Sequence, residues 1–374
     1  MRLSRRRMLL APLALGGPLL FPRALSAKPL WPGARYSEEW RTRAMQRGLR
    51  FIYATAVKPK HFAEYGDDYL WCFYTISNTA ADPALKRTAR TMGEERARAW
   101  RRLHPRVPAG ADANDISSLV FGSQAADQLG LRDGRMEDAL RRAAARFRAA
   151  DYLSFDPIRE LPPADVPDTC ARCDSDNPRG TRRCRTCGNK LDMTDPYEVL
   201  CDALIATYTG DRYGVRLGAG YPEVTALLPK MRPYRGYDGG RNPRFVATAY
   251  AITHIIYTMN DYGTWRLKPQ WLPAEHAFLI ENLAASIKIN DPETTGEFLD
   301  TLKAFGAGED DPLIRAGVEF VLSRQNKDGS WGDVTDKDIY QRYHPTWTAV
   351  DGLRDYAFQG ERASFPDALK QAQG

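Results

Sequence analysis

The sequence of 374 residues predicts an all-α fold, an α/α toroid of about six helical hairpins with a small four-cysteine insertion. Two observations support the helical body. Apolar residues recur at spacings of three and four, which is the period of a helix with one buried face. The helices that this pattern predicts also follow one another in pairs. The insertion is indicated by two C-x-x-C pairs near the middle of the chain.

The helical period is clearest in the second half of the chain. It covers Phe245–Met259, Ala274–Ile287, Gly296–Phe305 and Leu313–Leu322. Helix starts are marked by an acidic residue followed by proline, because the acid caps the first turn and proline is favoured at the first helical position. Asp-Pro pairs of this kind begin at Asp195, at Asp291 and at Asp311. Long alternating strands are not found in the sequence, so we expect helices throughout, apart from the insertion.

The predicted helices form six hairpins. They are Asp68–Ser77 with Pro83–Arg102, Asp115–Leu129 with Arg135–Arg148, Tyr197–Thr209 with Pro222–Met231, Phe245–Asp261 with Pro273–Ile287, Glu293–Phe305 with Asp311–Arg324, and Pro345–Phe358 with Glu38–Thr55. The last pair joins the two chain ends, which closes a ring of inner helices around a funnel. The expected organisation is a signal peptide (1–27), a first half of the toroid (28–164), the insertion (165–192) and a second half (193–374).

The first 27 residues have the features of an export signal. A basic start, the apolar stretch Met8–Phe21 and small residues ending at Ala27 are typical of a signal peptide. Ser4–Leu10 resembles the twin-arginine motif, although it departs from that motif at Met8 and Leu10. The resemblance implies export of an already folded protein, to the periplasm. An ordinary secretory signal or an uncleaved anchor is the alternative. The apolar stretch is too short and too interrupted to predict a stable membrane span after signal removal.

The charge of the chain argues against a nucleic-acid partner. Five of the 53 lysines and arginines lie in residues 1–27, which leaves 48 to balance 47 acidic residues. A nucleic-acid-binding protein normally carries a strong basic excess on one surface. We therefore expect no nucleic acid, and the sequence does not indicate an oligomeric state.

The four cysteines of the insertion have the spacing of a metal site. Cys170 and Cys173 form one C-x-x-C pair, and Cys184 and Cys187 form the other. Four thiolates suit tetrahedral zinc and leave no open position for a substrate, so the predicted role is structural. The segment resembles a zinc ribbon. An iron site of the rubredoxin type is one alternative, because iron also accepts four cysteines. A pair of disulfides is the other, since the predicted destination is oxidising.

One segment resembles a known superfamily. Residues 315–332, with Gln325 and Trp331, closely match the repeat of the squalene cyclase and prenyltransferase superfamily, in which the glutamine and tryptophan tie each helix end to the next loop. The resemblance covers about residues 291–356 and implies an α/α toroid. It also places His344 where protein prenyltransferases bind catalytic zinc. The partner Asp-x-Cys motif of that site is missing, as is the aspartate-rich acid motif of squalene cyclases.

Candidate site residues lie on predicted inner helices. Tyr250, His254, Tyr257 and Asp261 are three and four positions apart, so they share one face of a helix. Comparable places on neighbouring inner helices hold Glu293, Glu297, His344 and Asp351. Histidines with carboxylates can bind a metal or perform acid–base chemistry, so a second metal is one expectation here. The alternative is that these residues form a buried hydrogen-bonded layer with a structural role.

Two functions follow from these observations. The first is an exported enzyme with a funnel site around His254 and His344, with or without a metal, that acts on an apolar or peptide-like substrate. Its partner would be a small molecule, a lipid or a peptide. The second is a non-catalytic binding or assembly scaffold with a structural zinc ribbon. The sequence alone does not identify a reaction, because this fold serves several functions.

Overall fold

A computed structural model describes residues 36–374. The predicted signal peptide, residues 1–27, lies outside the described residues. Within 36–374 the regular structure is helical, and strand pairing is limited to isolated bridges such as Arg183 with Lys190. The predicted all-α class is confirmed.

Along the chain, most of the helices alternate between an inner and an outer layer. In order they are α1 Glu38–Ala56, α2 Pro59–Thr79, α3 Pro83–Leu103, α4 Ala113–Gln128, α5 Gly134–Ala144, α6 Ala149–Leu153, α7 Pro196–Tyr213, α8 Tyr221–Thr225, α9 Leu228–Met231, α10 Phe245–Met259, α11 Pro273–Lys288, α12 Pro292–Ala304, α13 Pro312–Ser323, α14 Tyr340–Leu353 and α15 Pro366–Gln373. No helix of the described part is both long and apolar enough to cross a membrane.

Six inner helices form a ring. In order around the ring, α2, α4, α7, α10, α12 and α14 each pack against the next, and the ring closes where α14 meets α1 and α2. The outer layer consists of α3, α5, α8, α11, α13 and α1, packed on the outside of this ring. All six predicted hairpins are therefore present, including the pair formed by the two ends of the chain.

The predicted acidic caps set where three helices begin. Asp195, Asp291 and Asp311 each accept the backbone N–H two residues further on, at 2.7–3.0 Å, and proline occupies the first turn in every case. A cap of this kind satisfies one of the N–H groups that a helix start leaves unpaired. Because Asp291 fixes the start of α12, it also fixes which α12 side chains point towards the centre of the ring.

Arg41 of α1 locks the closure of the ring. Its buried guanidinium donates to the carbonyl of Leu353 at 2.5 Å, where α14 ends, and contacts Glu309 and Asp355 at 2.8 Å each. A buried charge needs such partners, because removing them would leave it unpaired in a poorly solvated site. The N-terminal helix is therefore held to the C-terminal third of the chain by specific polar contacts.

The repeat residues occupy the positions that the superfamily resemblance implies. The Trp331 indole donates to the Val321 carbonyl of α13 at 2.7 Å. The Gln325 amide donates to the carbonyls of Ala44 and Gly329 at 2.8 and 3.0 Å. The end of α13, the following loop and α1 are thus tied together, as the repeat implies.

The third of the predicted hairpins differs from its prediction. Its second helix, predicted as Pro222–Met231, is divided into α8 and α9. Pro229 lies at the start of α9 and cannot donate the N–H that a continuous helix would use. The C-terminal helix α15, which the sequence did not predict, packs on both pieces and completes the outer layer at this point.

The insertion lies between α6 and α7 and contains no helix. A bridge between Pro167 and Met193 brings its two ends together, and a second bridge joins Arg183 to Lys190. Its small interior consists of Cys170, Cys184 and Leu191. With so little apolar area, the segment is too small to be stable through burial alone, which is typical of small metal-bound modules.

Candidate functional site

A cavity lies at the centre of the ring, and all six inner helices contribute to its wall. One residue from each is Asp68, Phe121, Ile205, Tyr257, Asp300 and His344. We call this space the central cavity; its volume is about 60 Å³. At roughly 10–15 Å³ for each water it would hold only a few solvent molecules.

Aromatic rings form much of the wall of the central cavity. They belong to Phe121, Tyr250, Tyr257, Tyr262, Tyr340 and Trp347. Burial raises the pKa of Tyr250, Tyr257 and Tyr340 well above the ordinary value of a phenol. These phenols therefore stay neutral. Their electron-rich faces are suited to stabilising a positive charge in the cavity.

His344 and Glu293 form a buried ion pair beside the central cavity. Nδ1 of His344 lies 2.6 Å from Oε1 of Glu293, and the Tyr250 hydroxyl donates to the same oxygen. Burial opposes the charge on His344, but the nearby Glu293 outweighs it and raises the pKa to about 9. Burial also acts against the Glu293 carboxylate, but the charge of His344 and two hydrogen bonds hold its pKa below the ordinary value. Both groups are therefore charged at neutral pH.

Glu297, one turn after Glu293 on α12, has the opposite character. It is buried against the central cavity, and the Thr253 hydroxyl donates to its Oε2 at 2.7 Å. Burial raises the pKa of Glu297 to about 8, although the charge of His344 and the bond from Thr253 oppose this. The side chain is therefore mostly an uncharged carboxylic acid at neutral pH, and it can donate its proton to a group in the cavity.

Two further carboxyl groups, Asp300 and Asp351, lie in the wall. Burial, together with the neighbouring Asp351, raises the pKa of Asp300 to about 7. Burial also raises the pKa of Asp351, but Arg354 opposes this and donates to it at 2.6 Å. The guanidinium therefore keeps the negative charge of this pair on Asp351.

Asp68, on α2, is another acidic side chain in the wall of the central cavity. The Tyr343 hydroxyl of α14 donates to it at 2.8 Å, across 275 positions of sequence. Burial raises the pKa of Asp68, while the charge of His344 and the bond from Tyr343 oppose that rise. The contact also holds α2 to α14, where the ring closes.

His254 is a neutral base in the wall of the cavity. Its Nδ1 lies 2.9 Å from the Tyr250 carbonyl. Since a carbonyl only accepts, Nδ1 carries the proton and Nε2 is left as the acceptor. Burial lowers the pKa of His254 to about 4, although the bond to Tyr250 opposes this. The ring stacks on Tyr250 and meets the Tyr257 ring edge to face, 5.3 Å between centroids.

The structure brings together four of the five predicted funnel residues. His254, Tyr257, Glu297 and His344 line the central cavity. Asp261 does not. α10 ends at Met259, and Asp261 has a left-handed backbone (φ 55°) that turns it away, so that it accepts a hydrogen bond from Tyr208 and pairs with Arg212 at 3.1 Å. The one-face argument was wrong at this position because it assumed that the helix continues.

Asp68 and Asp300 were missed as site residues. Asp300 lies three positions after Glu297 and seven after Glu293, on the same face of α12, so its spacing was a usable signal. Asp68 offered no local signal, since its place in the site depends on ring closure.

The four cysteines of the insertion, which we call the cysteine knuckle, converge on one point. Their ligand atoms all lie within 4.8 Å of one another. The sulfurs of Cys170 and Cys187 are 3.6 Å apart, and those of Cys173 and Cys184 are 3.5 Å apart. Four sulfurs about 2.3 Å from a tetrahedral metal lie about 3.8 Å from one another, so the arrangement fits zinc. All four cysteines are free thiols, which disagrees with the disulfide alternative.

The turns of the knuckle point backbone donors at the sulfurs. N–H groups of Arg172 and Cys173 bond to the Cys170 sulfur, and those of Thr186 and Cys187 bond to the Cys184 sulfur. Such bonds stabilise thiolates bound to a metal. Within residues 36–374, the knuckle is the one place where three or more cysteine, histidine or acidic ligands gather closely enough for one ion.

A second, larger cavity of about 290 Å³ adjoins the first. We call it the outer cavity. Its walls come from α2, α4, α6, α7 and the insertion, which contributes residues between Val166 and Arg179. Thr194, between the insertion and α7, also lines it. The two cavities share Asp68, Phe121 and Ile205, so these side chains form a neck between them.

No family model matches the chain. Part of the chain is similar to a terpene cyclase of Zea mays, ent-copalyl diphosphate synthase AN1, chloroplastic. The two are 29% identical over 124 residues, which represent 29% of this chain and 15% of the relative. The chain thus matches a small part of that relative's length. The similarity agrees with a terpene-cyclase-like helical fold.

Proposed function

We propose that the protein is an enzyme of the isoprenoid cyclase type, with Glu297 as the acid that starts the reaction. The observation that carries this proposal is the carboxyl group of Glu297, which is buried in the wall of an aromatic cavity where burial raises its pKa to about 8. Protonating a carbon–carbon double bond requires an acid kept away from water and a wall that tolerates a cation. The partial similarity to a terpene cyclase supports the same class of reaction.

The proposed reaction is an isomerisation that balances within the site. The Glu297 proton forms a C–H bond with one alkene carbon, using the π-electron pair, and the other carbon becomes a cation. A second double bond of the same chain attacks that carbon and closes a ring. A neighbouring C–H bond then loses its proton to Nε2 of His254, and its electrons form a new double bond. Exchange with water returns the acid and the base to their starting states.

The other polar groups position the reacting chain and balance charge. Tyr257 presents a ring face to the cation while its hydroxyl stays neutral. The His344–Glu293 pair carries one charge of each sign, so it adds no net positive charge beside the cation. It also holds Tyr250 in place through the shared Glu293 oxygen.

We infer that the cysteine knuckle holds a structural metal, with zinc as the best match to its spacing. We propose no metal at the histidines, because within residues 36–374 only the four cysteines bring three or more such ligand atoms close enough together for one ion. Export by the twin-arginine route remains a proposal from residues 1–27. This route exports folded proteins, so the cysteines could bind their metal before they reach an oxidising compartment.

The test is conversion of linear isoprenoids in D₂O by wild type and Glu297→Gln. We expect wild type to yield a cyclic isomer that carries one deuterium on carbon, detected by mass spectrometry. Glu297→Gln keeps the shape but has no acidic proton, so the rate should fall by at least about 100-fold. Glu319→Gln on the outer helix α13 is the matched control and should keep the wild-type rate.

Two results would count against the proposal. Binding of the isoprenoids without any conversion would favour the non-catalytic scaffold. Equal rates for wild type and Glu297→Gln would place the acid elsewhere.

A further inference from the structure

The outer cavity has no role in the proposed ring closure. The central cavity has a volume of about 60 Å³ and the outer cavity about 290 Å³, so the outer space is about five times larger. A ligand pocket for a molecule of moderate size normally needs several hundred Å³. Only the reacting end of an isoprenoid fits the central cavity, and the rest must pass the neck at Phe121 and Ile205 into the outer cavity.

The chemistry of the two walls differs. Aromatic rings form much of the central wall beside its carboxyl and imidazole groups, whereas the outer wall carries several amide and hydroxyl groups. These belong to Asn114, Ser117, Ser118, Thr169, Asn177 and Thr194. Such groups are placed at a binding site to orient a polar part of the ligand through hydrogen bonds. A molecule that fills both cavities would therefore have an apolar end and a polar head.

The charged side chains of the outer wall are almost all acidic. They include Glu64, Asp67, Asp68, Asp168, Asp176 and Asp202. Within residues 36–374, Arg179 is the one lysine or arginine that lines either cavity, and it is already paired with Glu160 at 2.7 Å and Asp165 at 2.6 Å. Even with some of these acids protonated, the wall offers no unpaired cation to a ligand.

We propose that the outer cavity binds the polar head of an amphiphilic isoprenoid, and that this head is a hydrogen-bond donor without negative charge, best a protonated amine. The inference rests on the proposed function for the reacting end. This head group differs from the diphosphate for which the maize relative is named. A diphosphate is negatively charged and would lie against the acidic side chains of the outer wall. Like charges at close range repel more strongly where water is partly excluded. The acidic and hydroxyl groups instead accept hydrogen bonds from an ammonium or hydroxyl head.

The insertion becomes part of the substrate site under this proposal. It supplies Thr169, Asp176 and Asn177 to the outer wall, within a few residues of the cysteines. The knuckle therefore sets the shape of the head-group site while taking no part in the reaction.

The experiment compares three ligands that share one chain and differ only in the head. Farnesylamine, farnesol and farnesyl diphosphate are titrated into the full chain by calorimetry, the diphosphate with and without Mg²⁺. We expect the amine to bind at least about tenfold more tightly than the diphosphate. Asp202→Asn should weaken amine binding about fivefold and leave farnesol unchanged, since one partly exposed charge pair is worth up to about 1 kcal/mol. Asp138→Asn, on the outer helix α5, removes an equal charge elsewhere and should change nothing.

The outcomes separate this inference from the proposed reaction. Tight binding of farnesyl diphosphate, with or without Mg²⁺, overturns the head-group assignment and leaves the role of Glu297 standing. An amine affinity that responds equally to Asp202→Asn and Asp138→Asn also overturns it. The expected order of affinities without any cyclic product supports the head-group site and contradicts the cyclase.

Discussion

The cysteine knuckle and the central cavity are both buried groups of titratable side chains, but they are built in opposite ways. The knuckle takes four ligands from one short stretch, Cys170 to Cys187, and uses every one of them on a single point. The central cavity takes its groups from six helices, and Asp68 and Tyr343 meet across 275 positions of sequence. A closed site of the first kind holds structure, whereas an open site of the second kind leaves groups available for chemistry.

The two regions also differ in how they balance the charge of their buried groups. In the knuckle, four thiolates are suited to a metal cation that would balance them. In the central cavity, burial keeps Glu297 protonated, and only the groups with a partner of opposite sign, such as Glu293 with His344, stay ionised. Removing the metal should therefore disorder the insertion and leave the ring of helices folded, while changes in the packing of the inner helices should affect the central cavity.

Metal removal tests this separation and has the largest expected effect. Cys170→Ser removes one of four thiolates, and a structural zinc site of this type contributes apparent binding free energies of about 10–16 kcal/mol in isolated modules. We expect loss of the bound metal, measured by elemental analysis, and faster protease cleavage within residues 165–192. The helical circular dichroism signal should stay unchanged.

Cys201→Ala is the matched control for the cysteine substitution. Cys201 lies in α7, away from the knuckle, so this variant should keep the metal. Loss of the helical signal in Cys170→Ser would show that the knuckle supports the whole ring, contrary to the separation. Iron in place of zinc in the wild type would change the identity of the metal but leave the separation intact.

The same contrast explains what the sequence could predict. The knuckle was predicted because its four ligands follow a local spacing rule. The hairpins were predicted because helix period and acidic caps such as Asp291 are local as well. Asp261 was placed wrongly because the helix period does not show where a helix ends. α10 ends at Met259, and the turn that follows gives Asp261 a left-handed backbone that points it elsewhere.

The rest of the site depends on contacts that no local pattern encodes. Asp68 reaches the cavity only when α14 closes the ring against α2, and the protonated state of Glu297 depends on burial by several helices. The outer cavity exists only once the insertion folds against α2, α4 and α7. These features follow from tertiary packing, so the sequence predicted the helices and the knuckle but not the complete set of acids.

Close packing of α12 on α14 sets the geometry of the cavity, and a single methyl group should disturb it. A Cβ added at Gly352 would lie 2.6 Å from the Gly296 carbonyl oxygen, where the backbone has no room to yield. Gly352→Ala should therefore lower the free energy of unfolding by about 3 kcal/mol, measured with denaturant. It should also slow conversion, because it moves His344 relative to Glu297.

Gly134→Ala provides the control for that variant. Gly134 begins the outer helix α5, and a Cβ there meets nothing within 4 Å, so stability should stay the same or rise slightly. The metal content of Gly352→Ala should equal that of the wild type. A variant with wild-type stability would contradict the close approach of the two inner helices.

The response to pH gives the smallest effect and the clearest contrast of sign. The pKa of Glu297 is raised in the folded protein from 4.5 to about 8, and that of His344 from 6.5 to about 9. Between pH 6.5 and 8 these two groups therefore hold protons in the folded state that they have lost in the unfolded state, so their contribution to the free energy of unfolding falls as pH rises. Glu297→Gln removes one of these protons and should reduce that slope by about 1 kcal/mol per pH unit.

The knuckle should behave in the opposite way, because acid protonates its thiolates and releases the metal. Denaturant titrations and metal analysis across the same pH series measure both trends, and a wild-type slope equal to that of Glu297→Gln would show that Glu297 is already ionised at pH 6.5.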